Sequence, residues 1–130
     1  CTGNSCRSQM LEAWLRHLSG GGFVVYSAGI ETHGVNPEAV HYMNEVGIDL
    51  SNHSSDLIDK YLDVEFDLVV TVCDHAKESC PIFPRAVKTI HRNFEDPSKV
   101  IHGKSDVFRT VRADLKVFAS DICLLVSEQV

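Results

Sequence analysis

The sequence has no long apolar segment, no excess of positive charge and no repeated or low-complexity stretch. No apolar run approaches the ~20 residues that cross a bilayer, so we expect no membrane span. The 18 acidic residues outnumber the 12 basic ones and give a formal net charge of −6. Because this charge repels phosphate backbones and anionic lipid surfaces, we expect neither nucleic acid nor a membrane as a partner.

A secretory leader pattern is also absent, and the five cysteines are an odd number. A chain of 130 residues with 44% apolar side chains can bury a core without disulfides. We therefore expect reduced thiols and a cytoplasmic protein. Because no flexible linker interrupts the sequence, residues 1–130 are predicted to form a single domain.

Apolar residues at helical spacing predict three helices. The first covers 7–18 and is followed by glycines at 20–22, and the second covers 37–46, with Asn36 placed to cap it. The third and most regular pattern covers 107–126 and predicts a helix that packs across a sheet.

Three segments rich in β-branched residues predict strands, at 23–28, 67–73 and 87–91. The second is almost continuously apolar, which is typical of a central strand in a parallel sheet. The mixed segment 48–59 is predicted to be irregular or helical. Strands that alternate with helices predict an open parallel α/β sheet flanked by helices, with ligands beyond the carboxyl ends of the strands.

The phosphate loop, as we name the first eight residues, combines a nucleophile with an anion cradle. Backbone N–H groups, the following helix N-terminus and a guanidinium can surround one tetrahedral oxyanion. The same positive field would hold Cys1 as a thiolate. The loop reads Cys1, Thr2, Gly3, Asn4, Ser5, Cys6, Arg7 and Ser8.

The pattern Cys-x5-Arg-Ser resembles the phosphate-binding loop of low-molecular-weight tyrosine phosphatases. Residues 1–10 together with 72–81, which read Val-Cys-x6-Cys-Pro, look more specifically like thioredoxin-coupled arsenate reductases of that fold. This resemblance implies a four-stranded sheet whose first strand lies upstream of the phosphate loop. We therefore expect three strands here. Either the sequence is a fragment of a longer chain, or the first strand is missing and the sheet has a gap that a strand of another chain could fill.

The resemblance implies that Cys1, Cys73 and Cys80 are the first, second and third nucleophiles of a disulfide relay. Cys1 would form an adduct with arsenate, Cys73 would attack Cys1 and release arsenite, and Cys80 would attack Cys73. Thioredoxin would then reduce the Cys73–Cys80 disulfide. Taken alone, Cys73 is also typical of a buried apolar residue at a strand end.

Asp96, next to Pro97, is the candidate general acid that protonates the leaving oxygen. It lies in residues 92–97, here named the acid loop, in which Phe94-x-Asp96-Pro97 matches the acid loop of the family. The alternative interpretation is an Asp-Pro turn. Arg92 and Asn93 differ from the tryptophan and glycine that we associate with the family.

Four polar residues match positions that bind potassium in some family members: Asn4, Glu12, Ser27 and Asp56. Oxygen ligands of these types suit a hard cation. Each has a simpler interpretation as a loop former, a helix surface residue or a cap. No organic cofactor is expected.

The remaining cysteines and the loop between Cys73 and Cys80 allow further interpretations. Cys6 is predicted to shape the phosphate loop and Cys123 to lie in the core. Cys73, His75 and Cys80 could bind zinc, although a fourth ligand and paired Cys-x2-Cys spacing are missing.

His75 and Lys77 lie between Cys73 and Cys80 and would favour the thiolate forms of these two cysteines. The alternative interpretation is a loop that simply faces solvent. The alternative functions are a tyrosine phosphatase of the same fold, or a non-catalytic module that binds oxyanions or senses arsenite.

Overall fold

The computed structural model describes residues 5–72 and 86–127 of the chain. Its helices and strands are α1 (Arg7–Leu18), α2 (Pro37–Asn44), β1 (Phe66–Thr71), β2 (Ala86–His91) and α3 (Lys104–Ser127). Two short 3-10 turns, Ile58–Tyr61 and Pro97–Lys99, lie between them. The predicted class, a parallel sheet flanked by helices, is confirmed.

The sheet of the described residues consists of β1 and β2, which pair in parallel from Phe66 opposite Ala86 to Thr71 opposite His91. Both strands lie within two residues of their predicted positions. Because the strands are parallel, their carboxyl ends meet at one edge, where Val72 follows β1 and the acid loop follows β2. The backbone N–H of Arg92 donates to the Thr71 carbonyl at 3.0 Å and joins the start of the acid loop to this edge.

The predicted strand at 23–28 is not found, which corrects the expectation of three strands. These residues form no ladder with another described segment, and the Val25 carbonyl accepts a hydrogen bond from the Arg16 guanidinium instead. Only Gly29 forms a parallel bridge, with Leu57. β-branched composition favours extended backbone, but a strand also needs a neighbour that pairs with its backbone groups.

The second helix has the cap and the glycine stop that its sequence predicts. The Asn36 side chain accepts a hydrogen bond from the Glu38 N–H at 2.8 Å and caps the first turn. At the other end Gly47 has a φ of 77°, and the Ile48 N–H donates to the Met43 carbonyl at 3.0 Å. This pattern is a Schellman motif, which requires a left-handed residue. The helix ends two residues earlier than predicted, at Asn44.

The core lies between α1, α2, α3 and the sheet. Tyr42 of α2 stacks on Phe108 of α3 with ring centroids 4.7 Å apart, and the Trp14 indole N–H donates to the Arg112 carbonyl at 3.2 Å. α3 spans 24 residues, yet within the described chain no helix is both long and apolar enough to cross a membrane. The largest fully buried apolar side chains are Met10, Met43, Leu50, Val72, Phe108 and Leu115.

Candidate active site at the amino-terminal end of α1

The phosphate loop enters the described structure at Ser5 and becomes helical at Arg7. Cys1, Thr2, Gly3 and Asn4 lie outside the described residues. The Ser5 carbonyl accepts a hydrogen bond from the Asn36 N–H at 2.9 Å, which attaches the loop to the start of α2. The N-terminus of a helix carries partial positive charge from its aligned peptide dipoles, and such an end favours an anion.

Arg7 connects three parts of the fold although its side chain is only 3% exposed. One guanidinium nitrogen, Nη1, donates to the Phe94 carbonyl at 3.0 Å and lies 3.5 Å from the Val72 carbonyl. The other, Nη2, lies 3.7 Å from the Asp96 carboxylate. The phosphate loop, the end of β1 and the acid loop therefore meet at one side chain.

Asp96 uses its two carboxylate oxygens differently. Oδ1 accepts hydrogen bonds from the Ser98 N–H at 3.0 Å and from the Ser98 hydroxyl at 2.6 Å, and so caps the 3-10 turn Pro97–Lys99. Oδ2 faces Arg7. Asp96 therefore forms the Asp-Pro turn and at the same time faces Arg7 of the phosphate loop. The general-acid role itself stays a prediction.

The two described cysteines are free thiols. Cys6 is 4% exposed and its sulfur lies 3.9 Å from that of Met10. Burial, followed by the charge of Asp96, raises the pKa of Cys6 to about 12. This thiol therefore stays protonated at neutral pH, which fits a loop-shaping role. Cys123 is partly buried and packs against the core.

The candidate potassium ligands are only partly brought together. The Ser27 hydroxyl donates to one Glu12 oxygen at 2.6 Å, whereas the other accepts from Arg16 Nε at 3.0 Å and lies 3.4 Å from His53 Nδ1. His53 also lies 2.9 Å from the Gln9 side-chain oxygen. The contact of Glu12 with Arg16 has the i,i+4 spacing of neighbours on one helix, whereas its contact with His53 joins distant parts of the sequence that no local pattern relates.

The Asp56 carboxylate has protein donors of its own. It accepts from the Ser54 hydroxyl at 2.9 Å, from Lys60 at 3.3 Å and from the Tyr61 hydroxyl at 3.3 Å. Burial alone would raise the pKa of Asp56, but these hydrogen bonds outweigh it and the pKa lies below its ordinary value. Within residues 5–72 and 86–127, no group of three His, Cys, Asp or Glu side chains could hold a metal ion. Potassium binding stays a prediction.

The second half of the predicted relay lies outside the described residues. This applies to Cys73 and Cys80, and to His75 and Lys77 between them. After β1, the last described residue is Val72, and Val72 is 1% exposed. Val72 lies at the edge of the sheet where its carbonyl faces Arg7, so Cys73 follows directly on a residue of the candidate site.

An α/β fold with an arginine at the start of a helix and a carboxylate facing it is an arrangement typical of oxyanion sites. The family model described as low molecular weight phosphotyrosine protein phosphatase matches residues 1–129. The chain belongs to this family.

Individual relatives carry a narrower name. An arsenate reductase from Staphylococcus aureus is 54% identical over 118 residues, which cover 90% of this chain and 87% of the relative. Arsenate reductase 2 of Staphylococcus saprophyticus is 55% identical over 116 residues, 88% of this chain and 86% of the relative. A solved structure titled "An arsenate reductase in the phosphate binding state" is 35% identical with a TM-score of 0.80, covering 95% and 92% of the two chains.

Proposed function

We propose that this protein reduces arsenate to arsenite. The geometric observation that supports the proposal is Arg7, which lies at the start of α1 and faces the acid-loop carboxylate of Asp96 at 3.7 Å. A tetrahedral oxyanion beside this arginine would have a clamp on one side and a proton donor on another. The choice of arsenate rests on the relatives named arsenate reductase and on the three cysteines at positions 1, 73 and 80.

In the first step, the Cys1 thiolate attacks arsenic. An As–O bond breaks, Asp96 supplies a proton to the leaving oxygen, and a covalent Cys1–arsenic adduct results. Arsenic is still As(V) at this stage. The role of Arg7 is to stabilise the negative charge on the remaining oxygens, because a guanidinium can donate two parallel hydrogen bonds to an oxyanion.

In the second step, the Cys73 thiolate attacks the sulfur of Cys1. The S–As bond breaks with its electron pair passing to arsenic, which leaves as arsenite, and a Cys1–Cys73 disulfide forms. Cys80 then attacks Cys73, releases the Cys1 thiolate and forms the Cys73–Cys80 disulfide. A cytoplasmic dithiol protein of the thioredoxin type reduces this disulfide and closes the cycle.

A potassium ion would have a supporting part in this scheme. Held by Asn4, Glu12, Ser27 and Asp56, it would supply positive charge behind the phosphate loop. The contact between Glu12 and Ser27 supports this set. No step of the proposed reaction passes through the ion.

The relay is tested by turnover of arsenate with thioredoxin, thioredoxin reductase and NADPH. We expect Cys1→Ser, Cys73→Ser and Cys80→Ser each to abolish steady-state turnover, whereas Cys123→Ser, in α3, keeps it. In a single turnover Cys80→Ser should still release about one equivalent of arsenite and accumulate a Cys1–Cys73 disulfide, visible by mass spectrometry. Loss of turnover in Cys1→Ser alone would contradict the relay.

Hydrolysis of a phosphate ester is the second candidate function, because the family model that matches the chain is that of a phosphotyrosine phosphatase. A phosphatase of this fold needs Cys1, Arg7 and the acid, but neither Cys73 nor Cys80. Rapid hydrolysis of an aryl phosphate that survives Cys80→Ser, without arsenate reduction, would favour it. Phosphate binding without either reaction would indicate a non-catalytic oxyanion-binding module.

A further inference from the structure

Arg92 is the first residue of the acid loop and its side chain leaves the loop to contact α3. Its guanidinium carbon lies 4.5 Å from the centroid of the Phe118 ring, which is a cation–π distance. Phe118 is 3% exposed and belongs to the core. The backbone of Arg92 is held separately, through its hydrogen bond to the Thr71 carbonyl. One residue thus joins the end of β2 to the buried face of α3.

The same Phe118 ring supports the next part of the acid loop. Phe94 is 7% exposed, and its ring centroid lies 5.5 Å from that of Phe118. The Phe94 carbonyl in turn accepts the 3.0 Å hydrogen bond from Arg7. Arg92 and Phe94 of the acid loop therefore both contact the Phe118 ring of α3. Through its carbonyl, Phe94 also joins the loop to Arg7 of the candidate active site.

The acid loop borders a groove beside α3. A groove of about 510 Å³ separates it from the first half of α3, with Asn93 and Glu95 on one wall and Asp106, Thr110 and Asp114 on the other. Arg92 and Phe94 also border this groove. Beside this groove, the contacts of Arg92 and Phe94 with Phe118 hold the start of the acid loop to α3, and the turn Pro97–Lys99 that follows Asp96 also packs on α3.

We propose that Arg92 is a positioning residue, which holds the acid loop on Phe118 so that Asp96 stays opposite Arg7. This inference rests on the proposed function for its consequence in catalysis. A displacement of a reacting group by about 1 Å can cost on the order of 10²-fold in rate, so a residue that fixes the loop affects the chemical step without touching the substrate.

The test compares Arg92→Met, which removes the charge but keeps length, with Arg92→Lys, which keeps a cation. For Arg92→Met we expect kcat for arsenate to fall about two- to fivefold, the range of an exposed cation–π contact. KM, and inhibition by inorganic phosphate, should stay within about twofold of the parent. Arg92→Lys should recover part of the loss, because an ammonium can still lie over the ring.

The second readout does not depend on activity. Amide hydrogen exchange of residues 93–99, followed by mass spectrometry, should be about two- to fivefold faster in Arg92→Met than in the parent. The matched control is Lys116→Met, which removes a cation 5.3 Å from the Trp14 ring, a cation–π contact made outside the acid loop. In this control, exchange of residues 93–99 and kcat should both stay at parent values.

Each outcome decides the matter. Unchanged exchange of residues 93–99 in Arg92→Met overturns the proposal, and so does an effect confined to KM and phosphate inhibition, which would make Arg92 an electrostatic attractor of the anion. If the parent protein itself fails to reduce arsenate, the proposed function fails, whereas the exchange comparison with Lys116→Met still tests whether Arg92 holds the loop.

Discussion

Two carboxylate–arginine groupings lie at different places in this molecule and are built differently. On the surface between α2 and α3, Glu45 receives hydrogen bonds from Arg109 at 2.9 and 3.1 Å and from Arg112 at 2.8 Å. At the start of α1, Arg7 instead donates at 3.0 Å to a carbonyl, and its contact with Asp96 is longer, at 3.7 Å. In the surface grouping, both guanidinium groups donate hydrogen bonds to the carboxylate. At the candidate site, Arg7 donates to a backbone carbonyl and lies beyond hydrogen-bond distance of the Asp96 carboxylate.

The difference fits two kinds of work. A carboxylate bound by two guanidinium groups joins two helices and has no remaining role for a ligand. A guanidinium fixed by a backbone carbonyl, opposite a carboxylate beyond hydrogen-bond distance, is placed before any ligand arrives. Because Arg7 is 3% exposed, its charge is less screened by solvent than the charges on the α2–α3 surface.

The largest effect should come from Arg7→Lys. A lysine keeps the charge but cannot donate to the Phe94 carbonyl and hold an oxyanion at two points, so we expect kcat/KM for arsenate to fall about 10³-fold. Steady-state kinetics measure this, with circular dichroism to verify folding. Arg109→Lys, on the α2–α3 surface, should stay within about threefold of the parent. Equal losses in both variants would mean that the two groupings do not differ in function.

Asp96→Asn should have the next largest effect. The amide oxygen can still accept from the Ser98 N–H and cap the turn, but the side chain can no longer donate a carboxyl proton. We expect kcat for arsenate to fall on the order of 10²-fold, with phosphate inhibition unchanged. Glu45→Gln serves as the control and should keep parent kcat. If Asp96→Asn also keeps it, the carboxylate opposite Arg7 is a turn cap and no more.

Local patterns in the sequence were enough to predict the helices that border this site. Helix α1 begins and ends where its apolar spacing predicts, and Asn36 caps α2 because the cap and the residue it binds are two positions apart. The placement of Asp96 near the phosphate loop was also predicted, although from the family resemblance and not from local physics.

Contacts between distant residues were not predicted. Arg7 donates to a carbonyl 87 residues away, and backbone carbonyls carry no side-chain signature that could announce such a role. The Arg92 contact with Phe118 and the His53 contact with Glu12 likewise depend on how elements pack. The segment 23–28 shows the converse error, because β-branched composition describes a preference of the backbone and not the presence of a pairing partner.

The smallest effect concerns Glu45, whose carboxylate is the surface counterpart of Asp96. Hydrogen bonds from Arg109 and Arg112 lower the pKa of Glu45 from 4.5 to about 2. A pKa that is lower in the folded protein gives stability that is complete above about pH 4.5 and disappears as pH falls through about 2.

Glu45→Gln should therefore lower the urea midpoint at pH 6, and the difference in midpoint between variant and parent should shrink between pH 5 and pH 2. The difference should also shrink in 1 M salt, because exposed pairs are screened. The control is Asp121→Asn, at an exposed acid of α3, which should show no such trend. A pH-independent effect of Glu45→Gln would show that this grouping does not stabilise the fold through its charge.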